Sequence, residues 1–246
     1  MTAGAPPPIE LAPKRRDVLR RAIALRRGRL RTSHAVPCPG GGAVLRAAGI
    51  VKRFRGRVVL DGAELELHPG EAVAVVGENG AGKTSLLRIC AGLLAPDGGS
   101  VARSGRVGYC PQVPALFDQL TAREHLVLFG RGLGLDRATA LQQGGEILAE
   151  FGFGARGGED VVAKELSGGN RQKLNLSLAL LGSPDVLLLD EPYQGFDHGT
   201  YVDFWDHVDR WRERGVALAV VTHMLTELWR VDRVVELTAP ARSEAA

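Results

Sequence analysis

The sequence has no run that approaches the ~20 consecutive apolar residues a bilayer-spanning helix requires, so the chain is expected not to cross a membrane itself. It has no apolar signal core near its start, where Pro and Arg dominate instead. Cysteine is scarce: Cys38, Cys90 and Cys110 are the only three. An odd count argues against a disulfide framework, and none of the three sits in a metal-ligand spacing, so reduced thiols are expected, two of them near the core. Net positive charge is absent from the body of the chain. The net charge of +3 hides a division, because residues 1–43 hold Lys14 and eight arginines against Glu10 and Asp17. That stretch carries +7 and leaves −4 for everything after it. The basicity belongs to an N-terminal extension, and the body shows no charge signature of a nucleic-acid surface. With 246 residues, 45% apolar and 24% charged, the composition is that of a soluble globular protein, either one large α/β domain or two small ones.

What is present centres on Gly77-Glu78-Asn79-Gly80-Ala81-Gly82-Lys83-Thr84, which has the spacing G-x-x-x-x-G-K-T. The apolar run Ala72-Val73-Ala74-Val75-Val76 before it predicts a buried parallel strand. Thr84 to Gly92 after it predicts a helix with Leu86, Leu87, Ile89 and Cys90 available for burial. A strand, a glycine loop and a helix start together make a phosphate-binding loop. Glycines admit the phosphates to the backbone, and successive N–H groups form an anion nest at the positive helix end. Lys83 is expected to reach the β- and γ-phosphates, with Thr84, next to Ser85, on Mg²⁺. A glycine-rich turn without function is the alternative for this stretch taken alone.

Residues 1–43 predict a disordered extension, opened by Pro6-Pro7-Pro8 and closed by the linker-like Pro37-Cys38-Pro39-Gly40-Gly41-Gly42. A basic amphipathic helix on anionic lipid and an RNA-binding segment are its alternatives. Short strands are expected at Val44–Val51, Val58–Leu60 and Leu65–Leu67, then around Val101, Val107 and Tyr109, with turns at 68–71 and 96–99. Helices are expected over Thr121–Gly130, where Thr121 and Glu124 fit a capping box, and over Arg137–Gly152. A third helix opens after Leu166-Ser167-Gly168-Gly169-Asn170-Arg171-Gln172. Val186-Leu187-Leu188-Leu189 is a second buried strand, ending in Asp190 and Glu191. Carboxylates at such an end are costly without partners, and Mg²⁺ with a water nucleophile would provide them. A helix over Asp203–Arg214, a strand over Val216–Val221 ending at Thr222-His223, and a short strand over Arg233–Leu237 complete the pattern. Strands alternating with helices predict a parallel α/β core.

The loop has companions in a fixed order: Gln112, Leu166–Gln172, Val186–Glu191, Asp197 and His223. In this order the chain resembles the nucleotide-binding domain of ABC transporters, over about residues 44–237, and the Leu-Ser-Gly-Gly run is that family's own signature. The resemblance implies a P-loop NTPase core with a parallel sheet flanked by helices. It adds an antiparallel β subdomain and a helical signature subdomain at about 113–182, and leaves 238–246 as a tail. It implies ATP and Mg²⁺ as cofactors. Phe54 matches the aromatic that stacks on adenine, and Gly77 to Ser85 hold the phosphates. Thr84, Gln112 and Asp190 match the Mg²⁺ contacts, and Gln112 also touches the attacking water. Glu191 matches the general base and His223 the γ-phosphate contact. Leu166, Ser167, Gly168, Gly169, Asn170, Arg171 and Gln172 would face the ATP of an opposite subunit, and Asp197 would couple the two sites. One departure stands out. The family's Asp-Glu-Pro-Thr-x-Gly-Leu-Asp is Asp190-Glu191-Pro192-Tyr193-Gln194-Gly195-Phe196-Asp197 here, so Tyr193 and Phe196 are expected to be bulky at a dimer contact.

Gln112 lies only 29 positions after Lys83, short for importer subunits. Gly108–Gln112, Leu116-Phe117 and Leu120–Leu126 look like A-subfamily exporters and their bacterial relatives. The chain also stops soon after His223, where many sugar-importer subunits continue. The resemblance thus implies an exporter's ATPase subunit, on the cytoplasmic face of the cell membrane. Its expected partners are a separate permease and a second ATPase domain, identical or different, and not nucleic acid. An importer subunit and a non-transport ABC ATPase of translation or repair are the alternatives. The second lacks support, since one cassette is present and no long coiled coil interrupts it.

Overall fold

In the computed structural model the described residues are 42–153, 158–194, 196, 198–222 and 229–239, with backbone alone for 198–202. Two long strands open them, β1 (Leu45–Phe54) and β2 (Arg57–Leu67). They pair antiparallel through a two-residue turn, Arg55-Gly56, in which both residues have positive φ, as a tight hairpin turn of matching twist demands. The two short strands expected at 58–60 and 65–67 are one strand, because register shifts between Ala47 and Lys52 of β1 absorb the polar Asp61-Gly62 instead of ending the pairing. β4 (Gly98–Arg103) pairs with the other side of β1, so Gly98-Gly99, expected as a turn, already belongs to a strand.

The second sheet is parallel and has five strands in the order β5-β6-β7-β3-β8. Its members are β3 (Ala72–Val76), β5 (Val107–Cys110), β6 (Val186–Asp190), β7 (Ala217–Val221) and β8 (Arg233–Glu236). β6 and β7 are buried at every position, which explains their unbroken apolar runs. Their side chains still alternate. Val186, Leu188, Ala217, Ala219 and Val221 pack towards helix α1 (Lys83–Cys90) and the antiparallel sheet. Leu187, Leu189, Leu218 and Val220 pack towards Phe204, Trp205, Val208 and Trp211 of α5 (His198–Glu213). Trp205 and Phe204 are each 1% exposed; a fully buried aromatic of this kind contributes about 1.5–3 kcal/mol. Cys90 and Cys110 are buried and free, as expected, and burial pushes the Cys90 thiol up to about 12.

A third cluster joins α2 (Ala122–Gly132), α3 (Arg137–Glu150) and α4 (Gly168–Leu180). The Thr121 capping box is formed: Thr121 Oγ1 accepts the Glu124 N–H at 3.2 Å, and Glu124 Oε2 accepts the Thr121 N–H at 2.9 Å. α4 is buried on two sides. Leu174 and Leu178 face the helical cluster, while Leu176 and Ala179 face the sheet-and-α5 cluster. This helix therefore sits between the parallel sheet and the other helices. Residues 1–41, including Cys38, and the segment 223–228 lie outside the described residues.

Candidate functional site

The carboxyl ends of β3, β5 and β6 deliver the loops that build one cleft of about 690 Å³. It is lined by Phe54, Arg57, Val59, Asn79, Gly80, Gly82, Lys83, Thr84, Ser85, Gln112, Glu191 and Gln194. Binding at the ends of parallel strands is the rule for open α/β sheets. Two loop glycines are dictated by space as well as by φ. A Cβ on Gly77 would lie 2.3 Å from the Leu237 carbonyl oxygen, and one on Gly82 would lie 2.5 Å from Leu60 Cδ2. Gly82 ends the loop in the left-handed region at φ 92°, and α1 starts with no side-chain cap and no acidic residue in its first turn. The amides of Lys83, Thr84 and Ser85 are thus offered to an anion at the positive end of a helix. Lys83 is 7% exposed, and its Nζ donates to the carbonyls of Gly77 at 2.7 Å and Glu78 at 3.0 Å. The loop folds around its own lysine and holds the charge at the mouth of the nest. Glu78 accepts the Ala81 N–H at 3.1 Å, closing the turn.

Opposite the loop, Asp190 ends β6 and is 1% exposed. Glu191 follows at φ 48°, a left-handed backbone that a non-glycine residue holds at a cost of order 1–3 kcal/mol. Its N–H donates to Val221 O at 3.2 Å, which ties it to the end of β7. Its carboxylate Oε2 accepts from Gln112 Nε2 at 3.1 Å and from Gln194 Nε2 at 2.7 Å. Glu191 lines the cleft, and the two amides hold its carboxylate there. Thr84, Gln112 and Glu191 line the cleft and Asp190, which does not, directly precedes Glu191; all four carry oxygen donors of the kind that suits a hard cation. Among the described residues no group of three or more His, Cys, Asp or Glu could hold a metal alone. A cation here would need oxygen from a ligand's phosphates, the usual situation for Mg²⁺.

Phe54 is 45% exposed at the cleft wall, so it is not a core aromatic. The Lys52 ammonium lies 5.5 Å from its ring centroid. That ammonium is itself held by Asp97 at 2.9 Å, whose carboxyl is kept below its usual range by the Arg53 N–H and by Lys52.

No residue from Leu166 to Gln172 lines this cleft. The run begins α4. Ser167 caps it by accepting the Asn170 N–H at 3.3 Å, and Ser167 and Gly168 are exposed. The exposed part of the run is narrower than the sequence suggested. Leu166 is buried in the helical cluster. Arg171 donates to Ala163 O at 2.7 Å and Asp118 Oδ1 at 3.1 Å. Gln172 is 1% exposed and donates to Pro192 O at 2.8 Å. Tyr193 and Phe196 are both partly buried against the cluster of α5. The Tyr193 ring stands 5.7 Å from Phe204, and its hydroxyl is hydrogen-bonded to Thr222 Oγ1. Asp197 and His223 lie outside the described residues. Gln194, Arg57 and Val59 were missed by sequence reasoning. Gln194 falls inside the segment that departs from the family pattern, which was the available signal.

A match to the ABC transporter family covers residues 60–194. The chain is 41% identical over 199 residues to "Aliphatic sulfonates import ATP-binding protein SsuB" of Ralstonia nicotianae, covering 79% of this chain and 69% of that protein. It is 34% identical over 194 residues to "Nod factor export ATP-binding protein I" of Paraburkholderia xenovorans, covering 74% of this chain and 63% of that protein. To "Phospholipid-transporting ATPase ABCA7" of Homo sapiens it is 34% identical over 203 residues, 77% of this chain and 9% of that protein. The chain thus spans less than two thirds of the length of the last two. In structure it is similar to the ATP-binding subunit of an ABC transporter, with a TM-score of 0.72, 26% identity and coverage of 80% of this chain and 88% of that one. The dimeric structure of MJ0796, a bacterial ABC transporter cassette, shares the fold with a TM-score of 0.72 at 22% identity over 79% of this chain and 94% of that one. On the strand–loop–helix cleft, the family match and these relatives together, the chain belongs to the ATP-binding subunits of the ABC transporters, a family of P-loop ATPases.

Proposed function

We propose that this chain binds ATP with Mg²⁺, hydrolyses it, and so powers a separate membrane permease, two cassettes closing on ATP and parting after hydrolysis. One observation carries the reading: the strained, gripped carboxylate of Glu191 faces the same cleft as the lysine and bare amides of the phosphate loop. Phe54 and Val59 take the adenosine end. The amides from Gly80 to Ser85 and the Lys83 ammonium bind the phosphates. Thr84, Gln112 and Asp190 would hold Mg²⁺, which would neutralise charge on the phosphate oxygens. Glu191 accepts a proton from the attacking water as the water oxygen bonds to the γ-phosphorus and the bond to ADP breaks. Gln112 orients that water, and His223 contacts the γ-phosphate. Ser167, Gly168 and Gly169 of a second cassette cover the same phosphate with their helix end, and Asp197 couples the two sites. The dimer known for the MJ0796 cassette supports this arrangement.

The cassette occupies about residues 44–237, with a helical part at about 113–182, and residues 1–43 are an appendage to it. No helix among the described residues is long and apolar enough to cross a membrane. We place the chain on the cytoplasmic face of the membrane, attached through the surface near Gln112 and the helices of 121–152. The short spacing from Lys83 to Gln112 and the similarity to the Nod factor exporter support an export direction. The sulfonate importer at 41% identity supports the opposite one. Purification of the full chain from gently solubilised membranes tests the subunit role. A polytopic membrane protein is expected to co-purify, and cells lacking that protein should accumulate the cargo if the direction is export. Recovery of the chain with ribosomes or DNA, and with no membrane protein, would remove the reading.

A further inference from the structure

We propose that Asn175 and Gln172 are positioning residues for hydrolysis, forming a buried amide relay that sets the distance between Gln112 and Glu191. The proposal rests on the reading of those two residues given above. Strands β5 and β6 pair in register as far as Cys110 and Leu189. Beyond that rung the ladder stops. Pro111 has no N–H to continue it, and Pro192 follows Glu191 with the same lack. The two working residues, Gln112 and Glu191, therefore lie just past the last β5–β6 rung, on chain ends that this pairing no longer spaces from each other, although the Glu191 N–H still bonds Val221 O of β7.

The helix α4 spaces them instead. Asn175 Nδ2 donates to the Pro111 carbonyl at 2.8 Å, and Gln172 Nε2 donates to the Pro192 carbonyl at 2.8 Å. The second hydrogen of Asn175 points between Gln172 Oε1 at 3.4 Å and Cys110 Sγ at 3.2 Å. The result is a continuous path from Pro192 to Pro111 through two side-chain amides one helical turn apart. Both are almost fully buried, at 1% for Gln172 and 4% for Asn175. Carbonyl acceptors on either side fix which end of each amide is the donor. A buried amide in the apolar stretch Leu174-Asn175-Leu176 is costly unless its bonds are made, and here they are made to the residues flanking the site. The relay closes a ring with the Gln112–Glu191 hydrogen bond of 3.1 Å.

The test is steady-state ATP hydrolysis by the full chain with Mg²⁺. Asn175→Ala removes one end of the relay and keeps a good helix former. It should lower kcat about tenfold, the scale of one lost hydrogen bond, with KM for ATP within about twofold. Combined with Gln112→Ala, it should add no further loss beyond that of Gln112→Ala alone, since the residue it positions is gone. Gln172→Met preserves volume and reads the other end. It should behave in the same way and add nothing to Glu191→Gln. An unchanged kcat in either folded variant, or losses that multiply in the double variants, would overturn the relay. If Asn175→Ala does not fold, the Gln172→Met series decides. Normal turnover by Glu191→Gln would instead show that the site was misread, an outcome separate from failure of the relay.

Discussion

Helix α1 starts behind Gly82 and helix α4 starts on Gly168 and Gly169, and both leave N–H groups pointing outwards, yet their surroundings differ. The start of α1 has no side-chain cap, and it is closed in by Lys83, Gln112 and Glu191, all lining one cleft. The start of α4 is capped by its own Ser167, and Ser167 and Gly168 stand exposed, away from that cleft. One helix end opens into a cleft within the chain; the other is proposed as half of a shared site. The difference explains why a single cassette can hold a nucleotide while a second is proposed to complete hydrolysis.

The largest effect is expected at the boundary between holding and reacting. Glu191→Gln should lower kcat by about 10²–10⁴, the usual worth of a positioned base, and leave ATP affinity close to wild type. Lys83→Ala should act at the other end, weakening ATP binding by roughly 10–100-fold, the range of a lost charge-assisted hydrogen bond. Rapid-quench turnover and equilibrium binding of labelled ATP separate the two. If both variants lost binding alike, the division of labour around α1 would not hold.

A smaller effect sharpens the link between the two helix starts. The segment from Gln112 to α2 is hooked by His125, which is fully buried. His125 Nε2 accepts the Phe117 N–H at 2.9 Å, so its proton sits on Nδ1, facing Thr121 O at 2.8 Å. Burial lowers its pKa, and Arg171 adds to that; Glu124 and the Thr121 carbonyl oppose it. The folded state therefore binds this proton less readily than the unfolded chain does. Its contribution to stability is full above the unfolded value of about 6.5 and falls as pH drops below it. His207, buried beside Arg210 and with its pKa also lowered by burial and by that arginine, slopes the same way. The His125 share is the part of the pH dependence lost in His125→Asn, read from urea midpoints between about pH 7.5 and 5.5. Identical slopes in the two proteins would remove it. The smallest effect is expected from deleting residues 1–40. Turnover should stay within about twofold, below ~0.4 kcal/mol on the barrier, and a hundredfold loss would mean that the extension completes the cleft.

The phosphate loop, the β6 carboxylates and the Thr121 capping box were legible because each is local. A few adjacent residues fix strand, turn and helix start. Phe54 was legible only through its place in the order, since an exposed aromatic and a core one look alike in sequence. Other features depend on what packs against them. Tyr193 and Phe196, expected as bulk on a contact surface, pack partly against the cluster of α5, where Tyr193 meets the Phe204 ring and the Thr222 hydroxyl. Gln172 belonged by position to an exposed signature. The helix phase sends it inwards to Pro192. Asn175 was signalled only as a polar residue in an apolar stretch of helix, and its partners, 64 positions away for Pro111, were not visible. α5 begins five residues before the amphipathic pattern at Asp203.

The central claim is that α4 of one cassette completes the cleft of another. Light scattering of Glu191→Gln with and without Mg²⁺-ATP tests it directly. The protein should be a monomer alone and a dimer with ATP, and adding Ser167→Arg should abolish the dimer while ATP affinity of the monomer is kept. A Glu191→Gln protein that binds ATP, does not hydrolyse it and stays monomeric at high concentration would contradict pairing of this chain with itself.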